Sequence, residues 1–359
     1  MKRLTALLMT LPFAALTTMT NIPANAAARP ASIPSVRPES AVTPLTPVRV
    51  VALPGGGRDY IYGIGTAEVH FLVPPHGFHP LTASAAQLAE YGFQPRPKGG
   101  AALTAWDQTM ANYKSTPVPS IALGPQVTAP PHASTVKESA NSANWAGWLA
   151  DSTYQEFVAT QMNYTQPAAE STTCSNAQQG VWTGLGGWNS GTLAQDGTAL
   201  PGSLSSGYNA WYEYFNSSSN HGPTILSKLS VAAGDSMHLY VAYSTTNGTI
   251  DFYVANNSNG TSQSVEVTGV GTAYYDGSTA DYIAERPSCG SNCLYPLQHF
   301  STFSTSTAEA ETTGGTWIPI SSSPDPYKLL MYAGSTELAA PSSLNSSGDG
   351  FSTTWYNCN

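Results

Sequence analysis

From about residue 139 onward the sequence predicts an all-β fold, an antiparallel β-sandwich of jelly-roll or concanavalin-like type, preceded by a small α+β segment. Three observations carry this reading. Apolar and polar residues alternate with period two through Met237-His-Leu-Tyr-Val-Ala-Tyr243, and again at Ile250, Phe252 and Val254. Turn residues punctuate the runs: Asn247-Gly248 is the strongest two-residue hairpin signal, and Asn259-Gly260 marks another turn before Val265 and Val267. No helical periodicity interrupts this texture.

The N-terminal third divides further. Lys2 and Arg3 precede an apolar stretch from Leu4 to about Leu16, and Ala24-Asn25-Ala26 supplies small residues at cleavage-site spacing. Residues 1–26 therefore predict a secretory signal peptide, too short to span a membrane. Residues 27–136 form a second zone. Its Pro-, Ser- and Thr-rich start, to about residue 48, predicts disorder. Residues 49–115 read as compact, with strands at Val48 to Val51 and Val69 to Val73. A helix is expected over Leu81 to Tyr91, with Thr82 or Ser84 as cap and Gly92 just beyond. Residues 116–136 are rich in Pro and Ala, have little to bury, and read as a cleavable linker. Residues 137–359 are the sandwich.

Charge is distributed unevenly. Up to Glu138 there are ten Lys/Arg and six Asp/Glu, a net of +4; beyond it there are three Lys/Arg and sixteen Asp/Glu, a net of −13. The C-terminal part has almost no cations to offer phosphates, which excludes a nucleic-acid binder. It also loses nearly all its charge in acid, because protonating the carboxylates leaves little positive charge to repel itself. Acid tolerance follows from composition.

Export and an even count predict disulfides for the four cysteines. Cys289 and Cys293 close a short loop containing Gly290, which leaves Cys174 to pair with Cys358. Metal binding is the alternative, but no histidine sits at ligand spacing near Cys289. No metal or cofactor is expected, no further apolar run implies a membrane segment, and a monomer is expected.

Several catalytic signatures are missing. There is no Gly-x-Ser-x-Gly elbow, no His-Glu-x-x-His, and no Asp-Thr-Gly or Asp-Ser-Gly pair. With histidine and lysine scarce, acid–base work would fall mainly to carboxylates. Four segments then stand out in order: Ser142-Ala-Asn-Trp-Ala-Gly147; Trp182-Thr-Gly-Leu-Gly-Gly187 followed by Leu193-Ala-Gln-Asp-Gly197; Ala210-Trp-Tyr-Glu-Tyr214; and Thr279-Ala-Asp-Tyr-Ile-Ala-Glu-Arg-Pro287. The ordered set resembles the glutamic peptidase (eqolisin) family. The stretch at residues 74–97 is similar to the pro-segment of its bacterial members.

The resemblance implies a secreted acid endopeptidase acting on proteins or peptides, with Glu285 as general base and acid and Gln195 as the amide that stabilises an oxyanion and orients water. Trp182, Trp211, Tyr212 and Glu213 become candidates to line the substrate site. The zone at 27–136 becomes a pro-segment, held to the acidic domain by charge at neutral pH, lying across the cleft as an intramolecular inhibitor and released in acid. The chain departs from the family pattern at Gly186, Asp281 and Asp196, where Asp, Glu and a small residue are usual; these bear on the hydrogen bonding around the pair, the subsites and the pH optimum. The alternative, suggested by the aromatic-rich β texture, is a secreted carbohydrate-binding (lectin-like) or carbohydrate-active domain.

Overall fold

The computed structural model describes residues 44–124, 139–152, 154–171, 174–216, 219–220, 222–290 and 293–359. The expected signal peptide and most of the expected linker lie outside them. The N-terminal part contributes strands β1 (Arg49–Ala52), β2 (Arg58–Ile64) and β3 (Ala67–Val73), helices α1 (Ala85–Glu90) and α2 (Gly100–Asn112), and strand β4 (Ile121–Leu123). The remainder runs through β5 (Trp145–Asp151), β6 (Phe157–Thr165), β7 (Gly180–Gly186), β8 (Leu193–Ala199), β9 (Asn209–Asn216), β10 (Thr224–Leu226), β11 (Ser236–Ser244), β12 (Thr249–Asn256) and β13 (Thr261–Thr268). It closes with β14 (Thr279–Glu285), β15 (Phe303–Thr312), β16 (Asp325–Ala333), β17 (Thr336–Pro341) and β18 (Phe351–Trp355).

Antiparallel pairing arranges these strands in two layers. The back sheet has the order β1-β2-β3-β13-β12-β11-β6-β15-β18. The front sheet has the order β16-β5-β14-β7-β8-β9-β10-β4. Strand β17 pairs with both β16 and β18, so hydrogen bonding passes from one layer to the other. Period-two alternation turns Val181, Leu185, Tyr212 and Tyr282 of the front sheet inward to meet Leu239, Phe252, Val254 and Met162 of the back sheet in the main core. The predicted sandwich is therefore the observed architecture.

Local expectations fared unevenly. The strand over Met237–Tyr243 and its partner are present, but Ser244 pairs directly with Thr249, so the Asn247-Gly248 hairpin closes through four residues instead of two. The helix begins later than expected. Ser84 is its cap, with its hydroxyl and the Gln87 side chain forming a reciprocal capping box. Pro80–Thr82 instead forms a separate 3₁₀ turn, because Ala83 is extended. Helix α2 was not anticipated, although its buried residues Ala102, Ala105, Trp106, Thr109 and Met110 follow helical spacing. The expected linker is ordered where described: Ile121 and Ala122 are buried in β4. Both disulfides form as predicted, Cys174 with Cys358 and Cys289 with Cys293.

The N-terminal segment packs on the outer face of the back sheet. Leu88, Tyr91, Phe93, Trp106 and Met110 cluster there with Ala159, Tyr240 and Tyr253. Most of the described residues of the expected inhibitor thus lie on the back sheet, on the other side of the sandwich from the candidate site, while β4 extends the edge of the front sheet. Nor is the contact built from ion pairs: among the described residues the close pairs are Arg49–Glu68, His70–Asp59, His70–Glu68 and Arg96–Asp107, all within the segment itself. Among the described residues the charge asymmetry reaches across through His70 near Glu266 and Lys98 near Glu311.

Candidate active site

The candidate site lies on the outer face of the front sheet. Alternation along β7 places Trp182 on that face between Gly180 and Gly184. Along the neighbouring strands it places Gln195 on β8, Trp211 and Glu213 on β9, and Asp281, Ile283 and Glu285 on β14. In the register, Gln195 stands beside Gly184 on one side and Glu213 on the other, while Glu285 stands beside Gly180 and Trp145. A second apolar cluster underlies them, built from Trp145, Trp182, Trp188, Trp211, Leu149 and Ile283. Trp145 and Trp182 meet edge-on with ring centres 5.0 Å apart.

The polar groups are held by specific bonds. Trp182 Nε1 donates to Glu285 Oε2 at 2.7 Å, and Asn144 Nδ2 donates to Glu285 Oε1 at 3.0 Å. Asn144 is itself oriented: the Ser142 hydroxyl donates to its Oδ1 at 3.2 Å, leaving the amide nitrogen facing the carboxylate. Arg286, the next residue on β14's far side, does not pair with Glu285; its Nε donates to the Ala143 carbonyl at 2.7 Å. Gln195 Nε2 donates to Glu213 Oε2 at 2.9 Å, and both side chains are nearly buried. Gln195 Oε1 and Glu213 Oε1 have no partner.

Burial raises Glu285 to about 7, against the pull of Trp145, Trp182 and Asn144. The Trp145 N–H lies near the carboxylate without making a well-formed hydrogen bond, whereas the other two do. Glu285 keeps part of its surface open. Glu213 is pushed higher still, to about 8, first by burial and then by the Glu285 charge, with Gln195 opposing. Glu285 is therefore the first of the two to ionise, and Glu213 stays a neutral acid beside Gln195 while it does so. One carboxylate is available to move a proton, and a non-titrating amide shares its face of the sheet with a free oxygen and a second N–H.

The structure separates the residues singled out from sequence. Gln195, Glu213, Glu285, Trp182 and Trp211 share the face. Tyr212 does not: it is fully buried on the inner side, against Phe252 at 5.0 Å and Phe71 at 6.2 Å, because neighbours along a strand point to opposite faces. The same rule sends Asp196 into the core behind Gln195, where burial raises its pKa well above the usual range. Its expected influence on subsites is thereby replaced by one on the interior. Asp281 is on the site face, level with Gly184 and Gln195, fully buried, and likewise raised by burial. Gly186 has φ +86°, and a Cβ there would come 2.8 Å from the Cβ of Asp276 and 2.4 Å from the Thr192 carbonyl. Asp276 thus occupies the space that a side chain at 186 would need. Asn144 and Trp145 were not singled out individually, although both stand in the Ser142–Gly147 motif.

A family model described as the Peptidase A4 family matches residues 143–349, more than half of the chain, with Asn144, Trp182, Gln195, Glu213 and Glu285 inside the match. The chain belongs to the peptidase A4 family. It is a glutamic endopeptidase of the eqolisin type, a hydrolase. The carbohydrate-binding alternative falls with that result. Among solved structures, this eqolisin is similar to scytalido-glutamic peptidase bound to a transition-state analogue inhibitor, at 19% identity and TM-score 0.49, over 60% of this chain and 98% of that one. It is also similar to SCP-B, an eqolisin in complex with the tripeptide Ala-Ile-His, at 18% identity and TM-score 0.48, over 60% and 98%. No curated protein sequence matches it.

Proposed function

We propose that this eqolisin is a secreted acid endopeptidase that hydrolyses peptide bonds of protein or peptide substrates with Glu285 and Gln195 as its catalytic pair. The observation that carries the reading is the placement of an ionisable carboxylate, held by Asn144 and Trp182, on the same face as an amide whose Oε1 is unpaired. Water bound between the two would lose a proton to Glu285 as its oxygen attacks the scissile carbonyl carbon. The free N–H of Gln195 would donate to the oxyanion that forms. Collapse of that intermediate breaks the C–N bond as Glu285 returns the proton to the leaving amine. Glu213 holds Gln195 in place through its carboxyl oxygen, and Trp182 and Trp211 form the floor for the substrate chain.

Two observations bear on the working pH in opposite senses. The raised Glu285 restricts its ionised form at low pH, whereas the sandwich itself is built to endure acid. Asp151 is raised to about 6, Asp251 and Glu309 to about 7, and Glu213 to about 8, each chiefly by burial. These groups take up protons in the folded state at a pH where an unfolded chain would not, so stability rises as pH falls.

Export through residues 1–26 and a precursor cut in acid complete the proposal. Since β4 is hydrogen-bonded to β10, the cut belongs within residues 125–138. Residues 44–124 pack on the back sheet and along the β10 edge of the front sheet, so the expected cover of the cleft is not proposed for them. The test is to shift the purified precursor from about pH 7 to about pH 3, a range spanning ordinary His and carboxylate pKa values, following mass, N-terminal sequence and casein digestion with and without a pepsin-type inhibitor. Inhibitor-insensitive digestion by a chain beginning within 125–138 is expected; absence of proteolysis at every pH would refute the reading.

A further inference from the structure

The N-terminal segment completes the sandwich at both of its open edges. On the back sheet, β3 pairs with β13 from Ser264↔Leu72 to Thr268↔Glu68. On the front sheet, β4 pairs with β10 from Thr224↔Leu123 to Leu226↔Ile121. Without these strands β13, of sequence Thr-Ser-Gln-Ser-Val-Glu-Val-Thr, would present an unpaired edge, and such edges invite association with other chains.

Three further features show a fitted surface. Phe93 packs on Tyr253 with ring centres 5.4 Å apart, and Tyr253 is 1% exposed. Gln94 bridges to the sandwich with both ends of its amide: Nε2 donates to Gln161 Oε1 at 2.6 Å, and Oε1 lies 2.9 Å from His238 Nε2. His238 is wholly buried beneath it. Finally, Gly260 has φ +80°, and a Cβ there would sit 2.4 Å from the Asn112 carbonyl; its own carbonyl accepts from Lys114 N at 2.7 Å. A side chain at 260 would collide with the backbone leaving α2.

We infer that residues 44–124 are a strand-donating subunit of the sandwich, which stays bound as a separate chain after the connection at 125–138 is cut. Cleavage would sever one linker while leaving two strand pairings, an aromatic contact and the Gln94 bridges in place. Strand pairing supplies affinity, and the Phe93–Tyr253 contact and the Gln94 hydrogen bonds supply specificity, the mode by which extended peptides add to sheet edges. The segment then serves as a permanent edge cover instead of a plug.

The test inserts a recognition sequence for a site-specific protease between residues 130 and 131 of the full chain, so that it stands apart from any self-cleavage. After cutting at neutral pH, gel filtration should recover the fragment ending at the insertion together with the fragment that carries residues 131–359 in equal amounts, with the far-ultraviolet circular dichroism unchanged. Phe93→Ala combined with Trp106→Ala should release the fragment after the same cut. Separate elution of the cut wild-type fragments, or full retention in the double variant, would overturn the inference.

Discussion

Both outer faces of this sandwich carry clustered aromatics around buried polar groups, but they differ in how those groups are satisfied. On the back sheet, the amides of Gln94 and Gln161 and both ring nitrogens of His238 are engaged. On the front sheet, Gln195 and Glu213 are equally buried, yet each keeps an oxygen without a partner, and Glu285 accepts from Asn144 on one oxygen and from Trp182 on the other while keeping part of its surface open. Unpaired buried polar atoms are costly, at about 1–3 kcal/mol each. On the front face the unpartnered atoms include an amide and a carboxyl oxygen beside an ionisable carboxylate, which marks where a water and a peptide would bind; on the back face the amides of Gln94 and Gln161 and the His238 ring are engaged, and the unpartnered atoms include the hydroxyls of Ser262 and Ser264 and the Asn257 amide oxygen. Residues that would look alike in composition thus separate by their hydrogen bonding.

The contrast can be broken experimentally. The largest effect on the front face short of removing the base is expected from Gln195→Ala, which takes away the oxyanion donor: kcat should fall about 10²–10³-fold with the fold intact, measured by steady-state peptide hydrolysis. Asn144→Ala should act more mildly and through pH. Loss of a hydrogen bond to a charged group costs about 1.5–3 kcal/mol, and this one favours ionised Glu285, so the acid limb of kcat/KM should move to higher pH. An unmoved limb would separate Asn144 from the base.

A third expectation concerns the whole domain. The carboxyls raised to about 6, 7 and 8 contribute stability that is fully present below the unfolded carboxylate pKa and lost as pH rises through their folded values. The thermal midpoint should therefore climb as pH falls from about 8 and level off near the ordinary carboxylate pKa of about 4. His238, lowered to about 3 by burial, contributes in the opposite sense below its ordinary value near 6.5, but it is a single group. A midpoint that falls steadily over the same range would contradict this. The smallest effect is expected from Tyr212→Phe. Because Tyr212 faces the core, KM should not change, and any stability change should stay within about 1 kcal/mol. A raised KM would return Tyr212 to the substrate.

Much of this was legible in sequence, and the failures have common causes. Alternation along Met237–Tyr243 and the turns at Gly248 and Gly260 revealed the sandwich, since period two follows from burying one face. The ordered motifs brought Gln195, Glu213 and Glu285 together although 90 positions separate the first from the last, as the pairing of β7 with both β8 and β14 requires. Tyr212 and Asp196 were misplaced because motif membership overrode that same alternation: Trp211-Tyr212-Glu213 cannot all point one way. The position of the N-terminal segment was not legible. Net charge says that two regions attract; it does not say which face they share, and here strand edges and Gln94 decide it.

The central claim is that Glu285 moves the proton. Its most direct test is kcat for Glu285→Gln, compared with wild type across pH on a peptide substrate, with circular dichroism to show that the sandwich is intact. The account predicts a loss within or beyond the 10²–10⁴-fold range typical of general acid–base catalysis, with no pH at which activity recovers. A folded variant keeping more than about a tenth of the wild-type kcat, a loss below ~1.4 kcal/mol, would contradict it.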